Sequence, residues 1–170
     1  MTATILEAKP IVEKLRAELK AQIGAMDRPP VLVALMVGDD AGARAYAKMQ
    51  AKAAAQVGIE YELRQLADDA NDQALHDEIE RLNADPAVDG IILQSPLPKG
   101  LDEPGMQGAI AVNKDVDGVH PMNLGLVAAD RDALAPCTAQ SALRLIEETG
   151  VELRGAEAVV VGRSVIVGKP

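Results

Sequence analysis

The chain has no Phe, no Trp and only two tyrosines, Tyr46 and Tyr61, among 170 residues. Single-stranded nucleic acid is bound largely by stacking bases on aromatic rings, so that mode has almost no platform here. Positive charge is also short: 17 Lys and Arg face 26 Asp and Glu, for a net charge of −9. Duplex binding needs clustered cations, and no nucleic-acid partner is expected. One cysteine, Cys137, excludes an internal disulfide and suits a reducing, cytoplasmic setting. The two histidines, His76 and His120, lack ligand spacing, so no metal site is expected. No apolar run reaches membrane length, and the N-terminus has no basic segment leading into an apolar one. Neither membrane nor export is expected.

What remains is an aliphatic, soluble type of chain. At 48% hydrophobic it can bury a sizeable core, built from Leu, Ile, Val, Ala and Met. Val12, Leu15, Leu19 and Ile23 recur at helical spacing from about Pro10. Val31 to Val37 is a short apolar strand, and Ala41 to Val57 an Ala-rich helix closed by Gly58. Ile59 to Leu66 alternates like a strand, Asn71 opens a helix running to about Asn83, and Gly90 to Gln94 is apolar again. A last helix covers Gln140 to Thr149. This alternation predicts an α/β fold: a three-layer domain with a mostly parallel sheet.

The final residues, Val159 to Pro170, predict something different. Three β-branched residues form a strand, and Gly162 and Gly168 bracket a turn into a helix start, which offers backbone N–H groups to a phosphate. This is the opening of a Rossmann-like domain, whose completion takes roughly a hundred further residues. The expected division is a domain over 1–135 and the beginning of a nucleotide domain over 136–170.

Ligands of open α/β sheets bind beyond the carboxyl ends of the strands. Three segments fall there: Gly38 to Tyr46, Gln94 to Gly100, and Lys114 to Gly125, the last polar, glycine-punctuated and too irregular for a strand or helix. Cys137, with no His nearby in sequence to activate it, is expected to be a buried thiol and not a nucleophile. Asp115 is expected to shape a turn.

These segments together resemble the methylenetetrahydrofolate dehydrogenase/cyclohydrolase family. Its Tyr-x-x-x-Lys pattern falls on Tyr46 to Gln50, and its Gln-Leu-Pro-Leu-Pro loop on Gln94-Ser95-Pro96-Leu97-Pro98. Lys114-Asp115-Val116-Asp117-Gly118 is intact, followed by Asn123-x-Gly125, Pro136-Cys137-Thr138 and Gly162-Arg163-Ser164-x-x-Val167-Gly168-x-Pro170. The motifs occur in the family's order along the whole chain.

The resemblance implies NADP as cofactor, tetrahydrofolate derivatives as ligands and a homodimer when the protein is full length. It implies that Asp117 holds the amino-pyrimidine edge of the pterin, where a carboxylate meets paired donors. Tyr46 stacks on the substrate, Gln94 positions the catalytic amine, and Pro96 and Leu97 line the folate site. Gly162, Arg163, Ser164 and Gly168 are assigned to the cofactor, Arg163 and Ser164 to its 2′-phosphate.

One departure stands out. Gln50 occupies the position of the family's lysine, with Ala43 where Ser is usual and Ser95 where Leu is usual. Lys48 and Lys52 are rotated about 200° and 240° from Tyr46 around a helix and read as a solvated face. Two functions share this motif set. One is a dehydrogenase whose cyclohydrolase step is weakened because an amide cannot titrate. The other is a folate-binding paralogue that has lost its chemistry.

Overall fold

The computed structural model describes residues 5–170. They form two compact units, one of Arg16–Val116 and one of Asp117–Pro170 with the described part of Met1–Leu15.

The larger unit is built on a three-stranded parallel sheet ordered β2-β1-β3, from β1 (Val31–Val37), β2 (Glu60–Leu66) and β3 (Gly90–Leu93). Val33 to Val37 of β1 are buried, as a central strand covered on both faces requires. Val33, Leu35, Val37, Ile91 and Leu93 point to one face. There they meet Leu75, Ile79 and Leu82 of α3 (Asp72–Ala84) and Met106 of α4 (Glu103–Ala109). On the same face Arg64 of β2 pairs with Glu78 at 2.8 Å, and Arg81 adds a second cation at 2.6 Å. Burial of Glu78 opposes its charge; hydrogen bonds from Arg81 and Arg64 outweigh it and hold the carboxyl below the usual range.

Ala34, Met36 and Ile92 point the other way. That face belongs to α2 (Ala41–Val57), whose buried positions are Ala43, Ala47, Ala54 and Val57. Small residues at helical spacing let the helix lie close to the sheet. Both ends are capped: the Asp40 side chain accepts from Ala43 N at 2.8 Å, and Gly58 closes the C-terminus at φ 92°. α3 is likewise opened by Asn71, which accepts from Ala74 N at 2.9 Å. The helix expected from Pro10 is α1 (Ala8–Gly24), but none of its residues is fully buried.

Several expectations need correction. The stretch Lys114 to Gly125 is not devoid of helix: Val112–Lys114 is one 3-10 turn, and α5 spans Pro121–Ala128. Pro121 suits a first helical position, and His120 Nδ1 accepts from Met122 N at 2.9 Å, a cap that polar composition hides. The last helix, α6, begins earlier than expected and spans Cys137–Glu147. Cys137, at its exposed first turn, is not buried. Val159 to Val161 form no strand; these side chains are exposed, and no described residue supplies the flanking ladder that a parallel strand needs.

Candidate functional site

Strand order sets where a site can form. β1 lies between β2 and β3, so the order of strand connection, not strand direction, reverses beside β1, and a crevice opens beyond the carboxyl ends there. A cavity of ≈ 420 Å³ occupies that edge, lined by Gly38, Asp39 and Asp40 after β1, Asp68 after β2, and Pro96 to Pro98 after β3.

α2 starts at this edge because Asp40 caps it directly after β1. Tyr46 is exposed, and Gln50, one turn further along, is half-buried. Gln94 follows β3; its N–H donates to Leu35 O at 2.8 Å, and its side chain is only 4% exposed. The two amides meet: Gln94 Nε2 donates to Gln50 Oε1 at 2.6 Å. The pair expected from the motifs is therefore assembled from a helix and a strand distant in sequence.

A third member was missed. Tyr61 OH donates to the same Gln50 Oε1 at 3.2 Å. Its place follows from register, since Tyr61 pairs with Leu32 and so shares the face of Ala34, Met36 and Ile92. Alternation along 59–66 could have put Tyr61 on one face or the other; only pairing with β1 says it is the α2 face. Burial, and behind it the neighbouring Tyr46, pushes the Tyr61 phenol above its ordinary range. It stays protonated at neutral pH.

The Ser95–Pro98 loop is held from behind by Glu103 of α4, another residue without a local signal. Ser95 Oγ donates to Glu103 Oε1 at 2.7 Å, and Leu97 N donates to Glu103 Oε2 at 3.1 Å. The Ser95–Pro96 peptide is cis. Ala43 is buried and Ser95 exposed, while Lys48 and Lys52 lie on the solvated face of α2 as expected.

The Lys114–Gly118 motif divides its work. Lys114 is buried, and its Nζ donates to Leu82 O at 2.9 Å and Asp85 O at 2.7 Å, closing the carboxyl end of α3. Asp115 is 1% exposed, and its backbone bridges to Ile91 beside β3, so it is part of the sheet's border more than a surface turn. Asp117 is half-buried and opens the smaller unit. Gly118 follows at φ 68°, and a Cβ there would lie 2.5 Å from the carbonyl carbon of Ala135. Only glycine fits this close passage.

In the smaller unit, residues 162–169 make a closed turn. Ser164 O accepts from Gly168 N at 3.1 Å and Lys169 N at 3.0 Å, and Ser164 Oγ accepts from Ile166 N at 3.3 Å. Ser164 thus caps a single helical turn. Gly168 packs on Gly162 O so closely that any Cβ would overlap it. Arg163 and Ser164 are exposed on this turn. A cation, a hydroxyl and a glycine-lined approach fit a phosphate-bearing nucleotide. No group of three metal-ligating side chains occurs among the described residues, and none of their helices is long and apolar enough to cross a membrane.

Comparison with known proteins bears on the whole chain. The family profile described as tetrahydrofolate dehydrogenase/cyclohydrolase, catalytic domain, matches residues 6–117, and the NAD(P)-binding domain of the same family matches residues 136–170. A bifunctional protein FolD from Heliobacterium modesticaldum is 44% identical across all of this chain and 60% of its own length. The solved structure of a 5,10-methylenetetrahydrofolate dehydrogenase from the silkworm Bombyx mori superposes with a TM-score of 0.94 at 33% identity, over 98% of this chain and 59% of that one. The Trypanosoma brucei dehydrogenase-cyclohydrolase, solved with NADP and an inhibitor, gives 0.90 at 29% identity, over 99% of this chain and 59% of that one. The chain spans about 60% of the length of the curated relatives it matches. With both profiles in order along it and the same fold beneath them, the chain belongs to the tetrahydrofolate dehydrogenase/cyclohydrolase family.

Proposed function

We propose that the protein oxidises 5,10-methylenetetrahydrofolate with NADP and that its hydrolysis of the methenyl product is weakened. The carrying observation is the hydrogen bond from Gln94 Nε2 to Gln50 Oε1 at 2.6 Å, which puts a carboxamide where the family has an amine.

In this reading the folate lies along the carboxyl edge of the sheet. Tyr46 offers a flat, exposed ring to the p-aminobenzoyl group. Pro96 and Leu97 form an apolar wall that Glu103 holds in shape. Asp117 accepts from the amino-pyrimidine edge. Gly162 and Gly168 admit the nucleotide to the turn, and Arg163 and Ser164 hold its 2′-phosphate. NADP held there would supply the hydride acceptor for oxidation of the methylene carbon to the methenyl level. For that step the protein chiefly aligns two partners.

Hydrolysis asks for more. Water must add to the methenyl carbon, lose a proton and release the ring nitrogen to give 10-formyltetrahydrofolate. Such proton movements need a group that titrates near neutrality, and an amide does not. Gln50 keeps a polar contact and loses the acid–base function. The proposal extends to a cytoplasmic homodimer, with a folate domain over residues 1–135 and the nucleotide domain opening at 136.

The test uses the longest chain its source encodes, supplied with methylenetetrahydrofolate and NADP. NADPH, methenyl and 10-formyl products are followed separately. NADPH with accumulating methenyl product is the expected result. Rapid enzyme-dependent formation of the 10-formyl product overturns the weakened step. Folate bound without NADPH points to the binding paralogue, for which the fixed Gln50 amide is the favouring observation.

A further inference from the structure

Gln50 is held more firmly than a wall residue needs. Both of its partners, Tyr61 OH at 3.2 Å and Gln94 Nε2 at 2.6 Å, donate to one atom, Oε1. Its Nε2 group has no acceptor among the described residues, yet none of their buried side-chain polar atoms lacks a partner. Nε2 is therefore open to solvent. A phenol that stays protonated is a far better donor than acceptor, which favours this orientation of the amide over its flipped form.

We propose that Tyr61 is a positioning residue of the site: with Gln94 it fixes the Gln50 carboxamide so that Nε2 is presented as a donor to an acceptor atom of the substrate. This rests on the folate reading above. Gln50 then does part of what a lysine does there, since an ammonium is also a donor, and it does so only because two donors behind it hold its oxygen inward. Tyr61 acts through Gln50 and touches no substrate itself. Gln94 alone could not prevent rotation of the amide about its own axis; a second donor on the same oxygen does.

The composition makes this testable by absorbance. These 170 residues hold two tyrosines and no Trp, so a Tyr46→Phe background leaves Tyr61 as the sole phenol among them. In that background Tyr61 is expected to titrate above the ordinary tyrosine range. Adding Gln50→Glu places an anion, fully ionised at alkaline pH, beside the phenol oxygen and is expected to push the titration higher still. A titration indifferent to position 50 overturns the contact, whatever the enzyme's activity. In the full-length enzyme, with Tyr46 and Gln50 intact, Tyr61→Phe removes only the hydroxyl. It is expected to lower kcat for NADPH formation about three- to tenfold with little change in KM, the size of one net hydrogen bond. Unchanged kcat with the fold retained overturns the role. If the wild type itself forms no NADPH, the folate reading fails; if it forms NADPH and Tyr61→Phe matches it, only the role of Tyr61 fails.

Discussion

Restoring an amine at position 50 is the sharpest perturbation this site allows. Gln50 Oε1 now accepts from Gln94 Nε2 at 2.6 Å and Tyr61 OH at 3.2 Å. In Gln50→Lys the incoming amine donates, so both neighbours must accept. The protonated phenol is the weaker acceptor of the two, so the amine relies chiefly on Gln94, whose amide flips to exchange its oxygen and nitrogen. Gln94 is 4% exposed, so the amine would sit against a largely desolvated group that favours its neutral form. The unprotonated fraction of the amine is able to accept a proton from water. General acid–base groups contribute about 10²–10⁴-fold, equivalent to about 3–5 kcal/mol of barrier. The assay starts from methenyltetrahydrofolate, subtracts its buffer hydrolysis, and follows 10-formyl product across pH. Gln50→Lys is expected to raise hydrolysis into that range with a sigmoidal pH dependence absent from the wild type. NADPH formation should change less than about tenfold, since it asks for alignment and not proton transfer. A variant that folds and makes NADPH, yet hydrolyses no faster than the wild type, would refute the role given to this position.

Three further outcomes test other parts of the structure. Lys114→Met removes two charged hydrogen bonds to Leu82 O and Asp85 O. It should cost about 2 kcal/mol, or roughly 4–8 °C in Tm by calorimetry, and an unchanged Tm would show that the cap is dispensable. Gly118→Ala forces a Cβ onto the Ala135 carbonyl at φ 68°, so titration calorimetry should show folate affinity falling by at least about tenfold, against no change if Asp117 is not the anchor. Asp89 accepts from Arg28 at 2.6 Å and from Val31 N at 2.8 Å, and these bonds hold its carboxyl below the usual range. A depressed carboxylate contributes stability above its unfolded pKa and loses it as pH falls through the folded value. Asp89→Asn should therefore lower Tm slightly at pH 7, with the gap closing below about pH 4; a gap that is constant with pH would assign the effect to shape, not charge.

Much of this architecture was legible because its signals are local. Val31 to Val37 is apolar throughout, as a strand buried on both faces must be, and α2 carries its own punctuation in Asp40 and Gly58. What escaped is non-local. α4 is only Glu-Pro-Gly-Met-Gln-Gly-Ala, a sequence whose two glycines oppose helix formation; it exists because Asp102 caps it and Met106 is buried under the sheet. Tyr61 lies in a half-exposed strand, and nothing in residues 59–66 reveals that β1 will place it against a helix residue eleven positions earlier. Val159 to Val161 failed in the opposite sense: strand propensity was present, and a neighbouring strand was not.

The five residues Lys114 to Gly118 are contiguous in sequence but are held by different parts of the fold. Lys114 spends its charge on the carboxyl end of α3, and Asp115 lies buried beside β3. Gly118 is demanded by the passing Ala135 backbone. Asp117, between them, is half-buried. Its neighbours fix where it stands: one ties the segment to a helix end, one to the sheet, one to the following chain. Substitutions at Lys114 should then be seen first in stability, and at Asp117 first in affinity, although both belong to one motif. Position 50 is held separately, since the hydrogen bonds of the Gln50 side chain come from Tyr61 and Gln94.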